Sequence, residues 1–166
     1  MTRMGEVEWL SDREQRVWRS LLRAQARMET ELDRDLRRSS GLTLVEYGIL
    51  VALSESPGRR MRMRRLAEEV LVSKSRLTHQ ISRLESAGHV RREPCEDDRR
   101  GFWAVLTDRG VDALVNAAPG HVAAVRGRVF DRLSPAQVDA LGELMAILEA
   151  DDPAELPAPS GDRAGR

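Results

Sequence analysis

Between Val17 and Leu32, apolar side chains return at helical spacing (Val17, Leu21, Leu22, Met28, Leu32), with Arg and Glu between them. Ser11-Asp12-Arg13-Glu14 lies just ahead and fits a capping box, a hydroxyl at the helix start and a carboxylate three residues on. The pattern predicts a helix from about Asp12 to Arg37, roughly 40 Å long at 1.5 Å per residue. That is long for a small domain and predicts an arm packed against another subunit; Ser39-Ser40-Gly41 ends it. Thr43-Leu44-Val45-Glu46 is a second capping box. It opens a helix to about Ser54 whose Tyr47, Ile49, Leu50, Val51 and Leu53 leave little polar surface, so this helix is predicted to be central core.

Ser56-Pro57-Gly58 reads as a turn. Met63 to Val70 follows as a short helix with Leu66, Ala67 and Val70 inward. Ser73 caps the next helix, which runs to about Ala87, and Gly88 supplies its stop. His89 to Glu93 and Phe102 to Leu106 alternate as two strands around the polar loop Pro94–Gly101. Thr107 caps another helix, which Pro119-Gly120 is expected to kink or break, and the helical pattern resumes from His121 to Leu133. Ser134-Pro135-Ala136-Gln137 combines an N-cap, a first-turn proline and a box-closing Gln ahead of a last helix ending near Ala150. Residues 151–166 are rich in Pro, Gly and charge and are expected to be disordered.

Composition sharpens this picture. With 166 residues and 4% aromatics, the core has to be built mostly from Leu, Val, Ala and Ile. The formal net charge is zero, yet residues 59–109 carry 13 basic and 8 acidic side chains, and residues 131–166 carry 3 basic and 8 acidic. A local surplus steers a polyanion whatever the total charge. Arginine dominates the basic residues, Lys74 being the only lysine. The single cysteine, Cys95, excludes an internal disulfide and makes a reducing cytoplasm the default expectation. No apolar run approaches the roughly 20 residues of a membrane span, so no membrane partner is expected.

The candidate chemistry sits in the helix that starts at Ser73. Leu77, Ile81 and Leu84 form one apolar stripe. The opposite face carries Ser75, Arg76, His79, Ser82 and Arg83, with Thr78 to one side, side chains suited to phosphates and base edges. Ser73, Lys74 and Ser75 lie at the positive helix N-terminus, which suits phosphate. Arg91, Arg92, Arg99 and Arg100 border the hairpin, and an arginine at a hairpin tip can enter a narrow minor groove. Asp98 can pair with Arg100 or a neighbouring arginine and hold the tip in position. A short helix, a turn, a polar helix and a hairpin together read as a winged helix-turn-helix on double-stranded DNA.

This region resembles the MarR family of bacterial transcriptional regulators. The motif is Asp98-Arg99-Arg100-Gly101-Phe102-Trp103-Ala104-Val105-Leu106-Thr107 followed by Gly110, with LAEEVLVSKSRLTHQISRLESAGHVRRE before it. Ala104 stands where Val is more usual. The resemblance covers about residues 10–150 and implies a mainly α fold with a small β-wing, a MarR-like winged helix-turn-helix. The DNA-reading head would span residues 62–108, with dimerisation helices at 10–38 and 108–150. It further implies a homodimer on a palindromic operator, usually as a repressor, with recognition helices about 34 Å apart. Ser73, Lys74, Ser75, Arg76, Thr78, His79, Arg83, Arg99 and Arg100 are the DNA-binding candidates, and Asp98 holds the wing. A small aromatic or amphipathic effector would release the DNA from a cleft between dimer layer and head, where Trp18, Tyr47 and His121 are the candidate lining residues.

Three other readings compete with this one. Cys95 among arginines would suit a thiol-redox switch, although the family's peroxide-sensing cysteine lies in the first helix, where this chain has none. A helical dimeric interaction protein that no longer reads DNA predicts a reading face stripped of its basic residues, which Arg76, Arg83 and Arg100 contradict. An enzyme needs a nucleophile with its base, paired carboxylates, a metal cluster or a phosphate loop, and none stands at plausible spacing. His79, His89, His121 and Cys95 lack the paired spacing of metal ligands, and no cofactor is expected.

Overall fold

The computed structural model describes residues 8–95 and 98–150, the side chains of residues 98–100 excepted. Two compact units divide the chain, one up to Ala124 and one from Val125 onward. No helix among the described residues is long and apolar enough to cross a membrane.

The first unit opens with α1 (Asp12–Ser40), capped by the reciprocal Ser11–Glu14 box and closed by Gly41 at φ 76°. It outruns the predicted end by one turn because Ser39 and Ser40 turn their hydroxyls onto the carbonyls of Asp35 and Leu36 and stay helical. Helix α2 (Leu44–Glu55) starts from the predicted Thr43–Glu46 box and is the centre of the core: Ile49, Leu50 and Leu53 have no exposed surface. A 3-10 turn at Pro57–Arg59 leads to a short strand, β1 (Arg60–Arg62). Helices α3 (Met63–Glu69) and α4 (Lys74–Ser86) follow. Strands β2 (Val90–Cys95) and β3 (Asp98–Leu106) complete an antiparallel sheet of order β1-β3-β2. Leu66 of α3, Leu77, Ile81 and Leu84 of α4, and Ala104 and Leu106 of β3 close over α2.

Helix α4 ends in a Schellman motif. Gly88, at φ 76°, donates to the Glu85 carbonyl, and His89 donates to that of Leu84, each at 2.9 Å. The next helix, α5 (Asp108–Arg128), is anchored at the same place. The Thr107 hydroxyl accepts from the Gly110 amide at 3.0 Å and donates to the Gly88 carbonyl at 2.7 Å. Gly110 is buried there for a steric reason: a Cβ on it would stand 2.2 Å from the His89 carbonyl oxygen. The Leu-Thr-x-x-Gly end of the motif is therefore the joint between wing and α5.

One expectation is corrected and one element is new. Pro119 does not break α5, which continues through it to Arg128. The hydrogen bond that Pro119 cannot make falls on Val115, whose 62% exposure leaves water able to take its place. The sequence reading also missed β1, a strand of three residues whose Met61 faces the core opposite Ala104 while Arg60 and Arg62 face away.

The second unit holds the end of α5, a 3-10 turn (Phe130–Arg132) and α6 (Pro135–Glu149). Arg126 pairs with Asp131 at 3.0 Å across the turn. The Ser134–Gln137 box and Pro135 start α6 as predicted, and none of its residues is buried within the chain.

Candidate nucleic-acid interface

Helix α4 buries one stripe and presents the other. Leu77, Ile81 and Leu84 are at most 2% exposed, whereas Lys74, Ser75, Arg76, Thr78, His79, Ser82 and Arg83 are exposed. At about 100° per residue, Ser75, His79, Ser82 and Ser86 form the outermost ridge, with Thr78 on one flank and Arg76 and Arg83 on the other. Ser73 caps the helix by accepting from the Arg76 amide at 3.3 Å, and its hydroxyl lies 3.2 Å from that of Ser75.

Both flanks are tied to the body of the unit. On one side Arg83 Nε reaches Oε1 of Glu46 in α2 at 3.2 Å. On the other, Arg92 of β2 donates to the Ser82 hydroxyl at 2.7 Å and the Thr78 carbonyl at 3.3 Å, with its other terminal nitrogen 3.6 Å from Glu85. Arg92 is thus a strut between wing and helix, which the sequence reading, treating it as part of a second reader, did not find. Arg92 pairs across the ladder with Ala104, on the face of the sheet that meets α4, which settles its direction. Arg91, on the opposite face, pairs with Glu93 at 2.7 Å. Arg76 leans toward α1 and α2, beside Leu44 and Val45, close enough for its charge to act on Asp33. Burial pushes the Asp33 carboxyl up, but hydrogen bonds from Arg37 and the Leu44 amide, with the charges of Arg37 and Arg76, outweigh it and leave the group below its usual range.

The hairpin stands beside α4, and its last strand pair, Cys95 with Asp98, follows an irregularity at Pro94. The side chains of the wing residues Asp98, Arg99 and Arg100 lie outside the described residues. Further down the hairpin, Trp103 carries Arg60 and Arg62 over its ring, with guanidinium carbons 4.8 and 5.4 Å from the centroid. Five arginines lie within residues 59–65. The arginines of β1 add positive charge at the base of the wing.

The candidate effector residues divide. Tyr47 and His121 meet, their ring centroids 4.4 Å apart, where α5 passes α1: a Cβ at Gly120 would lie 4.0 Å from the Ser39 hydroxyl. Burial holds the His121 imidazole below its ordinary pKa and the Tyr47 phenol above its own, and His121 Nδ1 is buried with no hydrogen-bond partner among the described residues. Trp18 does not join them. It lies 21 positions before Ser39 on the same helix, about 30 Å away at 1.5 Å per residue. Cys95 is only 5% exposed, and a reactive thiolate needs access, so the geometry disfavours the redox reading. It lies at the floor of a cleft of 590 Å³ between α3, α4 and the wing, with Phe102 and Met63, and Arg62, Arg64 and Arg92 at its rim. Among the described residues no group of three or more His, Cys, Asp or Glu is placed to hold a metal ion.

A helix that packs one apolar stripe on the core and turns a polar ridge outward, following a short helix and a turn and braced by a hairpin, is a winged helix-turn-helix, an architecture that docks its second helix in the major groove of double-stranded DNA. The comparisons agree with that class. A description of the MarR family matches residues 40–101. Sco3205 of Streptomyces coelicolor, a MarR family transcriptional regulator solved in complex with DNA, is 49% identical over 92% of this chain and 98% of its own, with a TM-score of 0.83. AbsC of the same organism, also a MarR family transcriptional regulator, is 46% identical over 86% of this chain and 95% of its own, with a TM-score of 0.77. An HTH-type transcriptional repressor of Mycobacterium tuberculosis, Rv2887, is 34% identical over 111 residues, 67% of this chain and 78% of its own length. The chain belongs to the MarR family and is a DNA-binding transcriptional regulator.

Proposed function

We propose that this regulator works as a homodimer that represses from a palindromic operator and releases it when a small aromatic or amphipathic effector binds. The observation that carries the reading is the state of α4: an exposed ridge of Ser75, His79 and Ser82 on a helix tied at both flanks. A helix fixed in rotation presents the same donors to base edges at every encounter, which is what sequence-specific readout needs. Ser73, Lys74, Ser75, Arg76, Thr78, His79 and the wing's Arg99 and Arg100 form the proposed contact set, with Asp98 holding the wing. Arg83 sits at its edge, because its Nε faces Glu46.

Support for the dimer comes from apolar side chains that the chain leaves uncovered. Val17, Trp18, Leu21 and Leu22 of α1 are 40–63% exposed, and Leu144, Ile147 and Leu148 of α6 are 42–66% exposed. Exposed large apolar side chains grouped on one helix mark an interaction face, and a two-fold partner gives the two recognition helices their spacing. Repression is the role named for the mycobacterial relative. For the effector, Tyr47 and His121 offer an aromatic wall and an unpaired imidazole nitrogen. The arginine-rimmed cleft over Phe102 offers a second place with an apolar floor for an acidic aromatic compound. The test is a gel shift of the full chain on native promoter DNA and on random duplex across a salt series. Phosphate contacts make affinity fall steeply with salt, and base contacts separate the two duplexes. Absence of binding at low salt sinks the proposal.

A further inference from the structure

Glu46 is the only charged side chain buried among the described residues, at 3% exposure. Its carboxylate does two things. Oε2 accepts the Thr43 amide at 2.8 Å, closing the capping box of α2, and Oε1 faces Arg83 Nε at 3.2 Å. The cap alone does not require a charge, because Gln closes such a box as well as Glu, as Gln137 does in α6. A buried carboxylate is costly unless a cation and hydrogen bonds compensate it. The charge at this position faces the arginine that α4 brings to it, with Arg37 of α1 a second cation in its field.

We infer that Glu46 is a positioning residue for DNA recognition: it holds Arg83 and thereby sets the rotation of α4 about its axis. The capping box holds the carboxylate through contacts local to α2, so the anchor point belongs to α2, the most deeply buried helix of the unit. Arg83 lies on the flank of α4 next to the outward ridge, and a pull on that flank turns Ser75 and His79 in or out of register with the base edges. Arg92 restrains the opposite flank through Ser82 and Thr78. Two arginines whose residue type suggests DNA contact are instead used to hold the helix that makes it.

Glu46→Gln, Arg83→Met and the double variant test this. The probe is a duplex selected by the wild-type protein from a randomised pool, compared with a shuffled duplex by fluorescence anisotropy over a salt series. Exchanging the charged partner of the Arg83 ion pair for a neutral amide should lower the preference for the selected duplex about fivefold in Glu46→Gln. Affinity for the shuffled duplex and the salt slope should stay at wild-type values. Arg83→Met should lower the same preference, and the double variant should lose no more of it than the worse single one. Two results overturn the inference. One is a wild-type preference in Glu46→Gln. The other is a loss in Arg83→Met on both duplexes with a salt slope lower by about one, the mark of a direct phosphate contact. Should Arg83→Met not fold, Glu46→Gln decides alone, since it keeps the cap and its circular-dichroism melt reports whether it is folded.

Discussion

Gly110→Ala sets two effects of opposite sign against each other. In a helix, Ala is favoured over Gly by about 1 kcal/mol, so propensity alone predicts a more stable protein. The added Cβ, however, would lie 2.2 Å from the His89 carbonyl oxygen and 2.6 Å from Leu106 Cδ1. The first neighbour is backbone and cannot rotate away, so the start of α5 and the start of the wing have to separate. Overpacking of this kind costs about 1–3 kcal/mol. The separation also strains the Thr107 amide and hydroxyl contacts to the His89 carbonyl, each 3.0 Å and each worth about 1 kcal/mol. The clash wins, with a net loss of about 2–4 kcal/mol. At 2–4 °C per kcal/mol for a chain of this size, Tm should fall by about 5–15 °C. Far-UV circular dichroism provides the melt, with Gly48→Ala as control: Gly48 lies within α2 with nothing inside 4 Å of its Cβ position, so propensity alone should raise its Tm slightly. A Gly110→Ala protein melting at or above wild type would refute the account of the wing–α5 joint.

Three further outcomes are expected. His121 and His89 both titrate below their ordinary 6.5, chiefly because of burial, so the unfolded chain takes up protons before the folded one. Their contribution is therefore complete above pH 6.5 and drains away as pH falls through the window below it. His121→Gln should flatten part of that decline in a melt series between about pH 7 and pH 5, and an unchanged slope would contradict the burial. Arg92→Met should free the wing from α4, costing about 1–2 kcal/mol and speeding amide exchange in β2; exchange at the wild-type rate would show that the strut carries no load. On α1, Leu21→Glu with Leu22→Glu should give a monomer by light scattering where the wild-type chain forms the proposed dimer, and a dimer in the variant would place the interface elsewhere.

What the sequence disclosed follows from how local each signal is. The three capping boxes, at Ser11, Thr43 and Ser134, place their helix starts to the residue, because the hydroxyl and the carboxylate or amide that close each box lie three positions apart. The stripe Leu77–Ile81–Leu84 and the stop at Gly88 are equally local. The errors arose where tertiary context overrides a local rule. Pro119 sits inside a continuous helix, and β1 is too short to show a period and exists by pairing with β3. The contact face of α4 was legible as a set of residue types, but not the division of labour within it. Arg83 and Arg92 have the composition of DNA contacts and the geometry of struts, and their partners stand 37 positions away in one case and 7 to 14 in the other. Trp18 was grouped with Tyr47 and His121, although 21 positions of α1, about 30 Å of helix, separate it from Ser39.

The central claim is that the exposed ridge of α4, doubled by a two-fold partner, reads double-stranded DNA by sequence. Sequencing the fragments that the full chain retains from a genomic pool tests it most directly. The account predicts a two-fold-symmetric motif with half-sites centred about 10 base pairs apart, lost when Ser75 and His79 are both changed to Ala. Retained DNA without any shared motif, or a motif that survives that change, would contradict it.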